Sequence, residues 1–362
     1  MSATADAERV VERTLTLARI PAPTGRERAR AEVVRAWWRD DGWSDVTIDA
    51  AGNVWACVRR GASAAVLVGA HLDTVFAADV PHEPARADGR ITGPGVGDDS
   101  VAVAALSAAA TLVEERTAAP VWLLATVGEE GLGNLAGVRA ALDAPAQAVA
   151  GFVAVEGNYL GRVSLTGVGS VRWRVTMSGP GGHAWEAAAE PSAIHALAAA
   201  IAGLPASSAE PRTVVNVGLV GGGEAINARA RHAWFDVDVR AEDPAVLLGL
   251  VDGVRAAIER ASVSGIDVSV EELGRRPAGA TDRDHPLARA AIAALDRAGI
   301  EPTFDASSTD ANAAHERGIP AVAIGITTGG GEHTLEEWID EAPIAVGVEA
   351  LAATIAGFGG SR

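Results

Sequence analysis

The chain has 362 residues, of which 48% are hydrophobic and 21% are charged. This composition excludes a mostly disordered chain, because such chains lack the apolar residues that a core needs. With 30 basic and 47 acidic residues the formal net charge is −17, which disfavours nucleic acid and membrane surfaces as partners.

The single cysteine, Cys57, excludes an intrachain disulfide and is typical of a protein in a reducing compartment. Residues 1–9 are polar and carry acids, so they do not have the pattern of a secretory signal. We therefore expect a cytoplasmic protein.

The first part of the chain alternates predicted helices and strands. Apolar spacing predicts helices over 7–19, 26–41, 100–115 and 135–142, and strands over 46–49, 53–58, 65–70, 121–127 and 151–155. The run over 65–70 is apolar throughout, as a strand buried on both faces should be. The alternation favours a largely parallel sheet that is covered by helices on both faces.

The pattern changes near residue 167. Strands are predicted over 170–177, 213–220, 231–240 and 267–272, with helices over 191–202 and 244–261. The α/β pattern resumes after residue 277, with helices over 286–298, 310–317 and 344–357 and a strand over 321–326. We therefore predict a discontinuous α/β domain over residues 1–167 and 275–362, with a smaller α+β domain over residues 168–274 inserted into it.

Histidines and acids follow several predicted strands, where the ligand sites of α/β sheets collect. In the motif that contains His71 and Asp73, the two side chains share one face of a strand. Asp73 can therefore accept the second imidazole N–H of His71, as acids do beside metal-binding histidines. A structural histidine beside an acid has the same spacing, so this motif alone leaves both interpretations open.

Two pairs of neighbouring acids have more than one interpretation. Asp98 and Asp99 precede a predicted helix, and their mutual repulsion calls for a cation or a helix N-terminus beside them. Glu129 and Glu130 follow a strand, so that one carboxylate can bind a metal ion while the other acts as a general base. A solvated acidic turn is the alternative for the second pair.

Two further residues complete the set. Glu156 directly follows the predicted strand 151–155, and His333 follows the last predicted strand, 321–326. Together these stretches supply two histidines and three carboxylates as ligands, with one carboxylate to spare. That is a ligand set for two divalent ions that share one acid. Mixed imidazole and carboxylate ligands suit zinc, with Co²⁺ and Mn²⁺ as the alternatives.

With these motifs in this order, the chain resembles the M20 metallopeptidase family from about residue 10 to residue 355. The family includes glutamate carboxypeptidase, succinyl-diaminopimelate desuccinylase, aminoacylase and peptidase T. The resemblance implies a zinc-peptidase-like α/β/α catalytic domain with a mostly parallel central sheet and an inserted ferredoxin-like dimerisation or lid domain. Glu156 matches the residue found in the carboxypeptidase and desuccinylase branches. The amino-acid sequence around His183 resembles that of a little-characterised bacterial branch.

The resemblance implies a role for each residue of the set. It implies two Zn²⁺ ions per chain, one held by His71 and Glu156, the other by Glu130 and His333, with Asp98 bridging both. Asp73 would orient His71, and Glu129 would be the general base that deprotonates the bridging water and passes the proton to the leaving amine. The peptide bond between Asp98 and Asp99 is expected to be cis.

The resemblance also implies roles within the inserted domain. His183 matches a histidine that reaches the active site of the partner subunit in a homodimer and stabilises the tetrahedral oxyanion. Asn227, Arg240 and Arg276 match positions that bind the backbone or carboxylate of the substrate, for which an arginine fork is well suited. A surface histidine and ordinary surface arginines are the alternatives.

The leading hypothesis is a dinuclear metal hydrolase that cleaves an amide bond in a small peptide or an N-acyl amino acid. Whether it is an exopeptidase or a deacylase stays open at this point. A non-catalytic homodimeric binding protein on the same fold and a transferase that uses the site without water are the other hypotheses. The complete ligand set and Glu129 favour the hydrolase.

Overall fold

The computed structural model describes residues 3–145 and 147–360. The chain divides into two compact units, one formed by Met1–Gly167 with Ala280–Arg362 and the other by Val168–Gly279.

The elements follow one another in three groups. The first group contains α1 (Ala3–Ala18), α2 (Arg28–Asp40), β1 (Ser44–Ile48), β2 (Val54–Arg59), β3 (Ala65–His71), β4 (Ala85–Ala87), β5 (Arg90–Thr92), a π-helical turn (Val96–Ser100), α3 (Val101–Arg116), β6 (Val121–Thr126), α4 (Ala136–Asp143), β7 (Val149–Glu156) and β8 (Arg162–Gly167). The second group contains β9 (Gly169–Ser178), α5 (Ala193–Ala202), β10 (Ser208–Ala209), β11 (Arg212–Gly222), β12 (His232–Ala241), α6 (Pro244–Ala261) and β13 (Asp267–Arg276). The third contains β14 (Gly279–Ala280), α7 (Pro286–Arg297), β15 (Thr303–Ser307), α8 (Ala311–Glu316), β16 (Ala321–Gly325), β17 (Gly329–Gly330), β18 (Trp338–Asp340) and α9 (Ile344–Gly359).

The main sheet of the first unit has nine strands in the order β1-β2-β6-β3-β7-β16-β8-β14, with β15 beside β8. Its central strands β6, β3, β7 and β16 are parallel neighbours. The β1–β2, β2–β6 and β16–β8 pairs are antiparallel. The predicted α/β class is confirmed, and the sheet is mixed: parallel pairs form its middle, and β15 pairs parallel with β8.

Helices cover both faces of this sheet because its inner strands are apolar on both faces. Along β3, Val66, Val68 and Ala70 belong to a core cluster that includes residues of α1, α2, α3, α7 and α9. Ala65 and Leu67 point the other way, into a second cluster that includes residues of α4 and α8. This alternation is the two-sided burial that the apolar run predicts.

A small second sheet in the same unit has the order β17-β18-β5-β4. In its central pair, Trp338 of β18 lies opposite Thr92 of β5 in an antiparallel register. The pairing brings together two segments that are far apart in the chain, one just before the π-helical turn and one just after His333.

The second unit is an antiparallel sheet in the order β10-β11-β12-β9-β13. Alternate residues of β9 and β12, such as Trp173 and Phe235, pack with α5 and α6 into one core. The intervening residues of the same strands are polar and partly exposed, for example Arg174 and Asp236. One face of the sheet is therefore covered by helices, as an α+β unit requires.

One helical stretch, Val96–Arg116, is long and apolar enough to cross a membrane by length and composition alone. It includes the π-helical turn and α3, and 83% of its apolar window is buried inside the protein. The core helices of proteins without any membrane span have the same property.

Candidate metal centre

The predicted ligands lie at one edge of the main sheet because three parallel strands end there. His71 is the last residue of β3 and lies opposite Thr126, the last residue of β6. Glu156 ends β7, which is the other neighbour of β3. The loop after β6 carries Glu129 and Glu130, so four of these side chains approach one another at the carboxyl ends of adjacent strands.

Asp98 lies between the two histidines. One of its carboxylate oxygens is 2.8 Å from Nε2 of His71. The other is 3.2 Å from Nε2 of His333, which also lies 3.4 Å from Oε1 of Glu130. The ligand atoms of His71, Asp98 and Glu156 lie within 4.8 Å of one another, and so do those of Asp98, Glu130 and His333. The structure therefore brings the five predicted ligands into two groups that share Asp98.

Glu129 belongs to the same cluster. Its carboxylate lies within 4.8 Å of ligand atoms of His71 and Glu130, and the residue is only 5% exposed. It is therefore a buried acid directly beside the two ligand groups, which is the position that a general base for this site needs.

Asp73 contacts His71 in a different way from the predicted one. Nδ1 of His71 lies 3.0 Å from the main-chain oxygen of Asp73 and 3.6 Å from its carboxylate. The carboxylate instead accepts hydrogen bonds from the main-chain N–H groups of Glu129 at 3.0 Å and Glu130 at 2.8 Å, and from Oγ1 of Thr24 at 2.9 Å. The acid thus fixes the loop that carries Glu129 and Glu130, while its backbone orients the imidazole.

Asp99 does not cap the following helix, which was one sequence interpretation. Its buried carboxylate accepts hydrogen bonds from the main-chain N–H of His71 at 3.0 Å and of Gly157 at 2.9 Å. Ser100, at the start of α3, makes no capping hydrogen bond with its side chain. The peptide bond between Asp98 and Asp99 is cis, as predicted.

Two buried charged residues near the site were missed by the sequence analysis. Glu337 is fully buried and accepts hydrogen bonds from main-chain N–H groups of the loop that carries Asp98. Arg30, on α2, donates to the main-chain oxygens of Ile20 at 2.9 Å and Leu72 at 3.1 Å. Neither residue lies in a motif whose spacing suggests chemistry, because each acts on backbone groups of distant segments.

The carboxylates of the cluster change the acidity of the histidines. The pKa of His333 is raised to about 10, by Asp98 first and then by Glu130. Burial lowers the pKa of His71, but the negative charges of Asp99, Asp73 and Asp98 outweigh it and raise that pKa well above its ordinary value.

Crowding also changes the acidity of the carboxylates. Burial, and next the charge of Asp99, raise the pKa of Glu156 well above its ordinary value. Burial and the charge of Asp98 raise the pKa of Glu337 to about 8. Asp98 is the exception: burial opposes the shift, but His333 and His71 together lower its pKa. The cluster thus contains more negative charge on its carboxylates than the neighbouring histidines neutralise.

The donor set fits divalent metal ions. Oε1 of Glu130 is buried and accepts no hydrogen bond from the described residues; its one ion-pair contact among them is Nε2 of His333 at 3.4 Å, a nitrogen that must be deprotonated to bind a metal. A buried carboxylate oxygen without a hydrogen bond is costly unless a cation balances it. Imidazole nitrogens and carboxylate oxygens in two groups that share one acid suit zinc or a similar divalent ion.

The other predicted site residues belong to the second unit. His183 and Asn227 are exposed on two neighbouring segments, joined by a hydrogen bond from the main-chain N–H of Ala184 to the main-chain oxygen of Asn227 at 2.8 Å. Arg240 donates from Nε to Asp238 at 2.7 Å. Arg276 is buried at the end of β13.

Comparison with known sequences gives one family match. The sequence model of Peptidase family M20/M25/M40 matches residues 67–357. No curated protein matches the chain by sequence.

Solved structures share the fold over nearly the whole chain. Aminopeptidase PepT from Bacillus cereus superposes with a TM-score of 0.82 and 24% identity, covering 98% of this chain and 99% of that one. A tripeptidase from Staphylococcus aureus gives a TM-score of 0.82 and 21% identity over 97% and 98% of the two chains. The YXEP protein of Bacillus subtilis, described as a dinuclear metal binding peptidase, gives 0.74 and 19% over 98% of both. At these identities the likeness concerns the fold.

Proposed function

The chain belongs to Peptidase family M20/M25/M40 and is therefore a hydrolase of peptide or amide bonds, and on that premise we propose a dinuclear metal-dependent mechanism. The substrate class in this proposal is a small peptide or an N-acyl amino acid. The observation that carries it is the place of Asp98 in both ligand groups, 2.8 Å from His71 and 3.2 Å from His333.

Two metal ions would be held by the five clustered side chains. His71 and Glu156 would bind one ion, Glu130 and His333 the other, and Asp98 both. Zinc suits these ligands best, and Co²⁺ and Mn²⁺ are the alternatives. When bound, such ions polarise a scissile carbonyl and lower the pKa of the attacking water.

Glu129 would move the proton in this reaction. Its carboxylate takes a proton from the water whose oxygen attacks the carbonyl carbon. When the C–N bond then breaks, the same side chain gives that proton to the leaving nitrogen, so Glu129 returns to its starting state. Asp73 supports this role by holding the main-chain N–H of Glu129 at 3.0 Å.

The second unit would complete the site in a homodimer. We propose that His183 of the partner subunit donates a hydrogen bond to the oxyanion, and its exposure leaves the imidazole accessible for that contact. Asn227, Arg240 and Arg276 would bind the backbone or free carboxylate of the substrate. The Asp238 contact of Arg240 is made through Nε, so its terminal nitrogens are the proposed substrate contacts.

Replacing Glu129 tests the mechanism. Glu129→Gln keeps the size of the side chain but removes the base, so hydrolysis is expected to fall by about 10²–10⁴-fold while two metal ions per chain stay bound. Glu129→Ala should give a similar loss. The matched control is Glu301→Gln at an exposed position. Hydrolysis within tenfold of the unmodified protein, with both ions present, would show that Glu129 is not the base.

A substrate screen distinguishes the remaining alternatives. The zinc- and cobalt-loaded protein is assayed with di- and tripeptides, N-acetyl and N-succinyl amino acids, and γ-glutamyl compounds. Cleavage of free peptides alone favours an exopeptidase, whereas cleavage of the N-acyl amino acids favours a deacylase. Metal-loaded protein that binds these compounds but cleaves none favours a binding protein.

We also place this activity in the cytoplasm as a homodimer. The only cysteine, Cys57, is a buried free thiol, which suits a reducing compartment. Light scattering of the metal-loaded protein tests the dimer, since a fully active monomer contradicts the role of His183 across subunits.

A further inference from the structure

We propose that Glu337 is a positioning residue that ties the loop carrying Asp98 to the segment carrying His333. The inference rests on the proposed dinuclear function, because it concerns how the shared acid is held in place.

The side chain of Glu337 binds the backbone of the Asp98 loop at three points. Its Oε1 accepts hydrogen bonds from the main-chain N–H groups of Gly97 at 2.6 Å and of Asp98 itself at 2.7 Å. Its Oε2 accepts a third from Gly95 at 2.9 Å. Since Glu337 is fully buried, water cannot replace these bonds.

The main chain of Glu337 reinforces the same connection. Its carbonyl oxygen accepts a hydrogen bond from the N–H of Gly93 at 2.7 Å, and β18 pairs with β5 directly beside it. Glu337 follows His333 by four residues, whereas it is 239 residues from Asp98 in sequence. A displacement of either segment is thereby transmitted to the other, which keeps Asp98 within 3.2 Å of His333.

The loop leaves room for this carboxylate because residue 97 is a glycine. A Cβ at Gly97 would lie 2.9 Å from Oε1 of Glu337 and 3.0 Å from Cγ2 of Ile339. None of the candidate ligand groups among the described residues includes Glu337, whose oxygens face amide hydrogens. Glu337 therefore acts on the metal centre through Asp98.

The experiment compares the unmodified protein with Glu337→Gln, Glu337→Ala and the exposed neighbour variant Glu336→Gln. Each is prepared free of metal and titrated with Co²⁺, with binding followed by calorimetry and by the visible absorption of bound Co²⁺. Values of kcat and KM are then measured at limiting and at excess Co²⁺. The glutamine side chain keeps the oxygen that accepts from Gly97 and Asp98, but it places an N–H₂ group against the N–H of Gly95. Glu337→Gln should therefore have an effect smaller than that of Glu337→Ala.

We expect Glu337→Ala to bind at least one of the two Co²⁺ ions tenfold or more weakly, with an altered absorption spectrum, and Glu337→Gln to lie between it and the unmodified protein. Values of kcat should fall while KM changes less than about threefold, and excess Co²⁺ should restore part of kcat. Glu336→Gln should match the unmodified protein. A structural role alone would lower thermal stability without this metal-dependent recovery.

The inference is overturned if Glu337→Gln binds both ions with the affinity and spectrum of Glu336→Gln. That comparison decides the matter even if Glu337→Ala does not fold, because glutamine preserves the buried volume. Failure of the proposed function gives a different result: the unmodified protein would then bind fewer than two ions or hydrolyse no amide, whatever the variants do.

Discussion

The carboxylate of Asp73 accepts a hydrogen bond from the main-chain N–H of Glu130 at 2.8 Å. The acid thus holds a proposed metal ligand by its backbone, which leaves the side chain of Glu130 available for the metal. It contacts the neighbouring Glu129 in the same way. One buried carboxylate therefore sets the position of both a proposed ligand and the proposed base.

Asp73→Asn should weaken the hydrogen bonds that hold the backbone of Glu129 and Glu130, while the side chain keeps its size. The amide can accept at only one of the two oxygen positions, so one of the two loop N–H groups loses its partner. We expect metal affinity and hydrolysis to fall by roughly 10–100-fold, as with other groups that orient metal ligands. Competition with a chelator measures the affinity. Thr24→Val removes the 2.9 Å contact to Asp73 and the 3.4 Å contact to the main-chain oxygen of Glu130, but leaves both loop N–H groups paired with Asp73. It should have a smaller effect, and an equal effect would contradict the role of Asp73.

Metal binding should tighten as the pH rises because His333 must lose a proton. Its pKa in the folded, metal-free protein is about 10, raised by Asp98 and then Glu130 from the ordinary value of 6.5. Below pH 10 each ion bound there displaces one proton, so the affinity should rise by up to about tenfold per pH unit between pH 6.5 and 8.5. Titrations with Zn²⁺ at several pH values test this. A flat profile would contradict it.

The raised pKa of His333 also predicts how the stability of the metal-free protein depends on pH. A histidine whose pKa is higher in the folded state stabilises that state below pH 6.5, and this contribution is lost as the pH rises through about 10. The Tm measured in chelator should therefore decrease over that range, and His333→Ala should flatten the decrease. A Tm that increases with pH across this window would contradict the assigned contacts.

Arg30 should stabilise the metal-free protein more than the metal-loaded one. It is fully buried, and burial lowers its pKa to about 10, although the charges of Asp73, Glu337 and Asp99 oppose this. Arg30→Met leaves the main-chain oxygens of Ile20 and Leu72 without this donor, which should cost about 1–3 kcal/mol in chelator, and it also removes a positive charge near these acids. The loss should be smaller with metal bound, since the ions supply positive charge. Urea unfolding measures both, with the exposed Arg28→Met as control.

Gly97→Ala should destabilise the loop that carries Asp98. The new methyl group would lie 2.9 Å from Oε1 of Glu337 and 3.1 Å from Cβ of Asn158, and both distances are shorter than ordinary van der Waals contacts. We expect a loss of about 1–3 kcal/mol in the free energy of unfolding together with weaker metal binding. Gly249→Ala is the control, because nothing lies within 4 Å of that position in α6. It should be neutral or stabilise by about 0.5–1 kcal/mol.

The α/β class could be predicted because apolar runs such as 65–70 and 121–127 carry the two-sided burial of central strands. The same runs predict where the candidate ligands lie, because the carboxyl ends of neighbouring parallel strands meet at one edge of the sheet. The small sheet formed by β4, β5, β17 and β18 could not be predicted in this way. Its strands have only two or three residues, too few for a periodic pattern.

The groups that hold the ligands in place were also beyond sequence analysis. Asp99 could equally have capped a helix, and only the fold shows that it accepts the N–H of His71. Glu337 follows Glu336 in an ordinary acidic pair, and its partners lie some 240 residues away. Such acids bind backbone N–H groups, which every residue except proline has. Their partners can therefore be almost any residue type, and no sequence motif identifies them.

The order of the ligands along the chain has a consequence for synthesis on the ribosome. His71, Asp98, Glu130 and Glu156 all precede the second unit, whereas His333 follows it. Residues 280–362, which complete the first unit, are translated after the second unit, so the final histidine becomes available only after more than 100 further residues have been made. A nascent or prematurely terminated product therefore lacks one side of the proposed centre, which would delay hydrolytic activity until translation is nearly finished.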